Sequence, residues 1–568
     1  MASRPGPGPS FEPPGPGSWT LDTVHFPRPA TRFASELFPE PARRGFREAT
    51  ARYGLLLDHI EWAFVQGWAY LCPRPIRSLR DEPQQLTRED WGRLVGSVPA
   101  LGERLATSAR VFEDRRWREE VALWDGQVKP QMRRAHVELQ AVEPFGLEAG
   151  ELRRHLDRCR ENLRRAIHRH HSLNVAPVIP TGDFLVHAQE WTGRPSAELV
   201  GLVRGEGALA LGAGPELAAL AEALQGDPAA ATRLSSGEEP QAILASLSSW
   251  PDPVGPGAVE YLRLVGDWSA GSGFDVGEPR LAEMPHVLVE TIRAALAHGR
   301  AGAEPQEGAE RVAEVRAGVP RGSRRTFDEL LDEASASHRV RDERATYCDV
   351  WAYGLARRGI LAAGARLADT GALDQPVHLV EADHREMHAL LEGSGGPSGA
   401  QLAARARHRQ AADEDQVPTM LGAPPRTPVP TAWLPAGAAR TERAFRAYVA
   451  AMSGEAQAAG EGAAVHGLPA SAGRYEGSAR VVQSASEFPR IQRGDVLVTR
   501  STTPAFNPVL PLIGAIVTDR GGLLSHAAIV AREYGIPAVV GTGDATRRIP
   551  DAARVVVDGA AGQARLLG

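Results

Sequence analysis

The sequence predicts a multidomain α and α/β chain, with a large, mostly helical body followed by a small C-terminal α/β domain. Three observations carry this. From about Phe46 to Leu390 apolar residues recur at three- and four-residue steps, the period of helices with one buried face. Between about Gly393 and Ala464 the composition shifts to Gly, Pro, Ala and Ser, typical of semi-rigid and flexible connections. After Gly467 short β-branched runs alternate with Gly, Pro and Asp turns, the pattern of strands.

The elements follow in chain order. Met1 to Ser18 is Pro/Gly-rich without an apolar stretch, so residues 1–30 read as a disordered or extended tail and not a signal peptide. The helical body is placed at residues 31–392, with helices expected over Phe46–Trp68, Arg115–Leu139, Leu152–His171 and Ser337–Thr370. Gly193–Pro195, Pro251–Gly257 and Gly302–Pro305 mark connections within it. Residues 393–464 read as a Pro/Gly-rich hinge interrupted by one helix, Ala438–Met452. Residues 465–568 form the last domain. Its expected strands are Ser478–Val482, Asp495–Thr499, Ala515–Thr518, Ala538–Val540 and Arg554–Val557, with one helix at Ser525–Tyr534.

Composition excludes several functions. A formal net charge of −6 over 568 residues leaves no basic footprint, so no nucleic-acid partner is expected. No apolar run reaches the ~18 residues of a membrane span, so no membrane partner is expected either. Cys72, Cys159 and Cys348 are far apart, which argues against a disulfide framework or zinc ribbon and fits the cytoplasm. Lys129 is the only lysine, so 63 of the 64 basic residues are arginine. A Walker A loop needs a lysine on the phosphates, and Gly126-Gln127-Val128-Lys129-Pro130 has the wrong glycine spacing. A kinase-type lysine site or a Schiff-base lysine is equally disfavoured.

The chemistry concentrates in Thr518-Asp519-Arg520-Gly521-Gly522-Leu523-Leu524-Ser525-His526-Ala527-Ala528-Ile529 and its continuation through Gly535-Ile536-Pro537. The pattern is strand, glycine turn, helix, glycine stop, strand. Gly521 and Gly522 remove side chains where another group could approach. Ser525 is a candidate N-cap, placing His526 in the first helical turn. Unsatisfied N–H groups and the dipole there favour a neutral, nucleophilic imidazole and would receive a phosphoryl group placed on it.

This stretch resembles the phosphohistidine signature of the phosphoenolpyruvate-utilising enzymes, a family that includes phosphoenolpyruvate synthase, pyruvate phosphate dikinase and rifampicin phosphotransferase. The likeness extends upstream over Gly494-Asp495-Val496-Leu497-Val498-Thr499-Arg500-Ser501-Thr502-Thr503-Pro504. It implies a swivelling β/β/α domain whose carrier is His526, with Gly521, Gly522, Ser525, Arg500 and Thr503 around the phosphate. Leu524 stands where the dikinases have a regulatory threonine, so threonine-based control is not expected.

A weaker likeness covers the helical body. Glu260–Trp268 and Asp275–Pro285 are similar to the substrate domain of rifampicin phosphotransferase-like proteins. Gly266-Asp267-Trp268 replaces the family's Gly-His-Arg, which implies an altered pocket involving Trp268 and Asp275. Arg339–Tyr347 resembles the family's Arg-Glu-x-x-Lys-type helix. Arg341 is its best match, and Arg344 is the nearest substitute for the absent lysine. The resemblance also implies that the lysine-dependent ATP-grasp domain, with its ATP and Mg, belongs to a separate partner protein. The larger subunit of phenylphosphate synthase is arranged in this way. No cofactor is then bound directly by this chain.

Other candidates are weaker. His168, His170 and His171 end an Arg-rich helix and could supply a base for a substrate hydroxyl, with His168 and His171 taken as substrate-binding. Favourable placement at a helix C-terminus explains them equally, and their spacing does not suit a metal, so no metal site is expected. Most of the tryptophans are expected in the core. Asp374, Asp383, His384 and Glu386 read as an acidic turn and helix start without chemistry. The expected activity is a dikinase-type phosphotransferase subunit. It would pass a phosphoryl group from His526 to a hydroxyl of a small-molecule acceptor, with dehydration of the acceptor as one outcome. The alternatives are a non-catalytic binding relic, or phosphoenolpyruvate-dependent transfer with a separate barrel subunit.

Overall fold

The computed structural model describes residues 10–76, 85–203, 214–298, 305–453 and 464–567. A large helical region is followed by a C-terminal mixed-sheet domain, the order that the change of hydrophobic period predicts. Most of the expected connection at Gly302–Pro305 and residues 454–463 of the expected hinge lie outside the described residues.

Near the N-terminus the structure departs from the sequence reading. Helix α1 (Pro39–Arg52) ends well before Trp68, and Gly54 turns the chain at φ +62°. The rest of the expected Phe46–Trp68 helix is a hairpin of β2 (Leu57–Val65) and β3 (Trp68–Pro75). Its two-residue turn is Gln66-Gly67, with φ of 53° and 82°. Positive φ at both positions suits the right-handed twist of the flanking strands. The tail is also ordered in part: β1 (Ser18–Leu21) joins the same sheet, and Trp19 is buried. Strand order is β2-β3-β1-β4, where β4 (Met420–Gly422) comes from the expected hinge and pairs Leu421 with Trp19. The sheet therefore joins the two ends of the helical region.

Helix α2 (Ala149–Ser172) buries Leu152, Leu156, Cys159, Leu163, Ala166 and Ile167, a stripe with helical spacing. It packs against α1. Helix α3 (Val178–Thr192) packs in turn on α4 (Arg324–Arg344). A π turn (Ala345–Val350) links α4 to α5 (Trp351–Asp369), so the expected Ser337–Thr370 helix is continuous but carries one irregular turn. Another π turn, Trp124–Val128, interrupts the expected Arg115–Leu139 helix.

Residues 393–453 are not a connection around one helix. After α6 (His384–Glu392), helix α7 (Gly399–Gln410) starts with a capping box between Ser398 and Gln401. Helix α8 (Ala436–Ser453) packs on α3 so closely that a Cβ on Gly182 would lie 1.9 Å from the Ala444 carbonyl oxygen. Arg440 closes the contact on Asp183 at 2.6 Å. Proline and glycine content reports local stiffness and turns, whereas this segment is fixed by partners distant in sequence.

The C-terminal domain realises each expected strand. Its sheet runs β5-β12-β11-β7-β8-β9-β10-β6. Strands β7 (Arg474–Val482), β8 (Asp495–Thr499), β9 (Ile513–Thr518) and β10 (Ala538–Val540) are mutually parallel. Strands β5 (Ala464–His466), β6 (Leu468–Ser471), β11 (Arg554–Asp558) and β12 (Gln563–Leu566) complete the sheet on either side, each pairing antiparallel with its neighbours. Helix α9 (His526–Tyr534) crosses from β9 to β10. Among the described residues no helix is long and apolar enough to cross a membrane.

Candidate active site

The Gly521-Gly522 turn delivers the chain from β9 into α9. Gly521 has φ +105°, and a Cβ there would lie 2.8 Å from the Ser525 side chain; only glycine takes both the angle and the crowding without strain. Ser525 occupies the N-cap, but its hydroxyl makes no cap hydrogen bond and its Oγ is buried without a partner.

His526, the first helical residue, is held at both ring nitrogens. Nδ1 lies 2.8 Å from Thr502 Oγ1, and Nε2 lies 2.8 Å from Asn507 Oδ1. With the Asn507 oxygen accepting, Nε2 carries the proton and Nδ1 accepts the Thr502 hydroxyl. Burial, and after it the charge of Arg341, hold the imidazole down at about 3. The ring is therefore neutral across the physiological range, as a nucleophile must be.

This end of the C-terminal domain faces the helical body. Arg341, in the last turn of α4, donates to the Leu524 carbonyl, two residues before His526. The backbone N–H groups of Gly522 and Leu524 donate to Met452 and Ala451 at the end of α8. Thr503 donates its hydroxyl to the Gly271 carbonyl at 2.6 Å. Arg500 pairs with Glu414 at 2.9 Å, and Arg520 pairs with Glu414 and donates to Thr23.

A second polar cluster lies in the helical body, beyond Arg341. In the π turn the Trp351 N–H bonds back to the Thr346 carbonyl, one residue further than in an α-helix. The longer turn carries Asp349 towards Arg344, and each charge opposes the burial-driven pKa shift of the other. Asp349 Oδ2 lies 2.6 Å from His170 Nδ1. Burial pushes Asp349 well above the ordinary carboxylate range, against Arg344 and His25. Burial, with Arg344, His25 and Arg341, holds His170 well below the ordinary imidazole value. Arg344 is 4% exposed, and its Nε and Nη1 atoms have no hydrogen-bond partner. His25, paired with Asp22 at 2.8 Å, packs on Phe274 beside His170.

The structure thus brings His526, Gly521, Gly522, Ser525 and Arg341 into one neighbourhood and puts Arg344 in the adjoining cluster. Arg500 and Thr503 bind the helical body in this docked arrangement. The substrate candidates lie elsewhere or act in the fold. His168 faces outward to Glu48 at 2.9 Å. His171 stacks on Phe46, with ring centres 5.1 Å apart. Trp268 is a core residue, and Asp275 accepts the Thr31 and Gly277 N–H groups at 2.7 Å each. Asp267, in place of the family's histidine, is an internal partner of Arg280 at 2.7 Å. Residues that the sequence reading did not single out are Thr502, Asn507 and Asp349; His170 was visible in the histidine run, but its face was not.

The site is thus a buried neutral histidine at the first helical turn after a Gly-Gly bend, on an α/β domain packed against the helical body. Residues 491–562 match the family described as PEP-utilising enzyme, mobile domain. The C-terminal domain thus carries a segment similar to that mobile domain, and the proteins it is similar to include phosphotransferases and phosphoenolpyruvate synthases. The uncharacterised phosphotransferase YvkC of Bacillus subtilis is 33% identical over 246 residues, 43% of this chain and 27% of that protein. Phosphoenolpyruvate synthase of Aeropyrum pernix is 52% identical over 99 residues, 17% of this chain and 12% of that one. Rifampicin phosphotransferase of Streptomyces sviceus is 46% identical over 104 residues, 18% of this chain and 12% of that one. The chain thus covers between 12% and 27% of the length of these three relatives.

Proposed function

We propose that the chain is a cytoplasmic, dikinase-type phosphotransferase subunit in which His526 carries a phosphoryl group from a separate ATP-grasp protein to a hydroxyl of a small molecule held by the helical body. The observation that carries this reading is the neutral His526 ring, fixed at both nitrogens and near enough to Arg341 of the helical body to feel its charge. ATP and Mg would be held by the partner, which supplies the activated phosphoryl group.

Loading requires a lone pair on the attacking nitrogen. For attack through Nε2, the ring passes to the Nδ1–H form, with Thr502 turning from donor to acceptor and Asn507 releasing Nε2. The hydroxyl of Thr502 can serve in either sense. In delivery the P–N bond breaks as the P–O bond forms. Arg341 and Arg344 offset the phosphoryl charge, the main task in this chemistry. The hydroxyl proton passes to His170, whose Nδ1 lies 2.6 Å from Asp349 Oδ2. Phosphorylation of a hydroxyl also makes it a leaving group, which accommodates a dehydrating outcome.

The test mixes the full chain with candidate ATP-grasp proteins and β-labelled ATP. Acid-labile, base-stable label on the wild type, absent from His526→Ala, is the expected result. Label that survives His526→Ala, or none with any donor protein, overturns the carrier role. Label acquired only from phosphoenolpyruvate with a barrel protein would move the donor to the other arm of the family.

A further inference from the structure

A second group of chemistry-bearing side chains lies on the outside of the helical body. His384 and His388 are one turn apart on α6, and both place Nε2 near a single oxygen of Asp157 on α2, His384 as a hydrogen bond. The distances to Asp157 Oδ1 are 2.9 Å from His384 and 3.2 Å from His388. The three ligand atoms lie within 4.8 Å of one another, and the two ring centres are 4.5 Å apart. Asp157 is thirteen residues from His170 along α2, about 20 Å at the helical rise, so this group is separate from the His526 site.

We propose that Asp157, His384 and His388 form a binding site for a divalent transition-metal ion, with zinc as the best fit to the ligand set. Two imidazoles and one carboxylate suit zinc, and a tetrahedral site with bonds of about 2.0–2.1 Å has ligand-to-ligand edges of about 3.3 Å. The two edges to Asp157 Oδ1 are within a few tenths of an ångström of that. Histidines at i and i+4 on one helix face converge on one ion. The His388 Nε2 atom is shielded from solvent and, although 3.2 Å from the carboxylate, makes no hydrogen bond to it. A nitrogen aimed at a point shared with the carboxylate, and not at the carboxylate itself, has this geometry.

The surroundings are consistent with such a site. Of the arginines near Asp157 on α2, Arg153 pairs with Glu392 and Arg160 with Glu36. The first turn of α6 is set by the Asp383–Glu386 capping box, and Arg405 clamps Glu386 at 2.7 Å. Asp157 is half exposed, which gives water access to the fourth position, as in three-ligand zinc sites. An ion here would staple α6 to α2.

The experiment uses the full, untagged chain, stripped with a chelator and titrated with Co²⁺ alone. One equivalent should bind with the visible absorption of a tetrahedral site, and Zn²⁺ should displace it. His388→Gln and Asp157→Asn should each lose the absorption and weaken Zn²⁺ binding by about 100-fold or more, while His168→Ala leaves both unchanged. Zn²⁺ should also protect His384 and His388 of the wild type from diethyl pyrocarbonate, read by mass spectrometry, a measurement independent of variant folding. Absence of stoichiometric binding, absorption that survives both substitutions, or protection that falls on other histidines would overturn the site.

Discussion

Arg341 of the helical body donates its guanidinium to the carbonyl of Leu524, in the loop that presents His526. The same charge lowers the pKa of His526 on one side and of His170 on the other. One cation therefore acts on both His526 and the polar cluster of the body.

Substituting Arg341→Met should separate the two half-reactions. Loading of His526 takes place away from the body and should fall by no more than a few-fold. Delivery to the acceptor should fall by about 100- to 1,000-fold, the typical cost of removing one aligned donor from a developing charge. Quench-flow measurement of label on His526, then of label on the acceptor, distinguishes the two. Equal loss in both steps would remove Arg341 from delivery.

Thr502→Val removes the hydroxyl that lies against Nδ1 and can serve it in both tautomers. Loading should drop by about 10- to 100-fold, and Thr502→Ser should restore most of it. In the variant, ¹⁵N chemical shifts of the His526 ring should report a changed tautomer balance. A wild-type spectrum would show that Thr502 does not set the tautomer.

Acid should destabilise the fold through buried neutral imidazoles. Burial holds His136, His338 and His526 at about 3 and His155 at about 4, against an ordinary value of 6.5. Folded pKa values below unfolded ones mean that the unfolded chain binds more protons below pH 6.5. Stability is thus complete above that pH and is lost as pH falls towards 3–4, at about 1 kcal/mol per pH unit for each ring. His136 has neither ring nitrogen hydrogen-bonded, so His136→Phe should flatten the slope by about 1 kcal/mol per pH unit. Urea midpoints at pH 7.5, 6 and 5 check this. An unchanged slope in the variant would contradict the neutral assignment.

Gly182→Ala tests whether residues 436–453 belong to the body. The added carbon meets the Ala444 carbonyl at 1.9 Å, so α3 and α8 must separate. A loss of about 1–3 kcal/mol is expected from overpacking, with increased hydrogen exchange in α8. Unaltered exchange there would mean that α8 is not held by α3.

The C-terminal domain was largely legible because its signals are local. Val and Ile runs between glycine turns give β7 to β11, and Ser525-His526 after Gly521-Gly522 marks the start of α9. The body was legible only as helical. The Gln66-Gly67 turn lies inside a run whose apolar spacing also fits a helix, so the hairpin stayed hidden. Trp19 and Leu421 pair across some four hundred residues, and no local pattern encodes that. Asp349 was missed for a different reason: a 3.6-residue count puts it on the wrong face, because the extra residue of the π turn is invisible to periodicity. Thr502 stands in the upstream family run, but nothing in the sequence distinguishes it from Thr503.

That π turn also makes the site sensitive to chain length. Each residue of an α-helix rotates the chain by about 100°, so deleting one residue within Ala345–Val350 would restore the regular helix and turn Asp349 away from Arg344 and His170. Arg341 and Arg344, on the N-terminal side, would keep their places. The two arginines and Asp349 thus lie on opposite sides of a single removable residue. An insertion or deletion at this point would separate these charges without any change in side-chain chemistry.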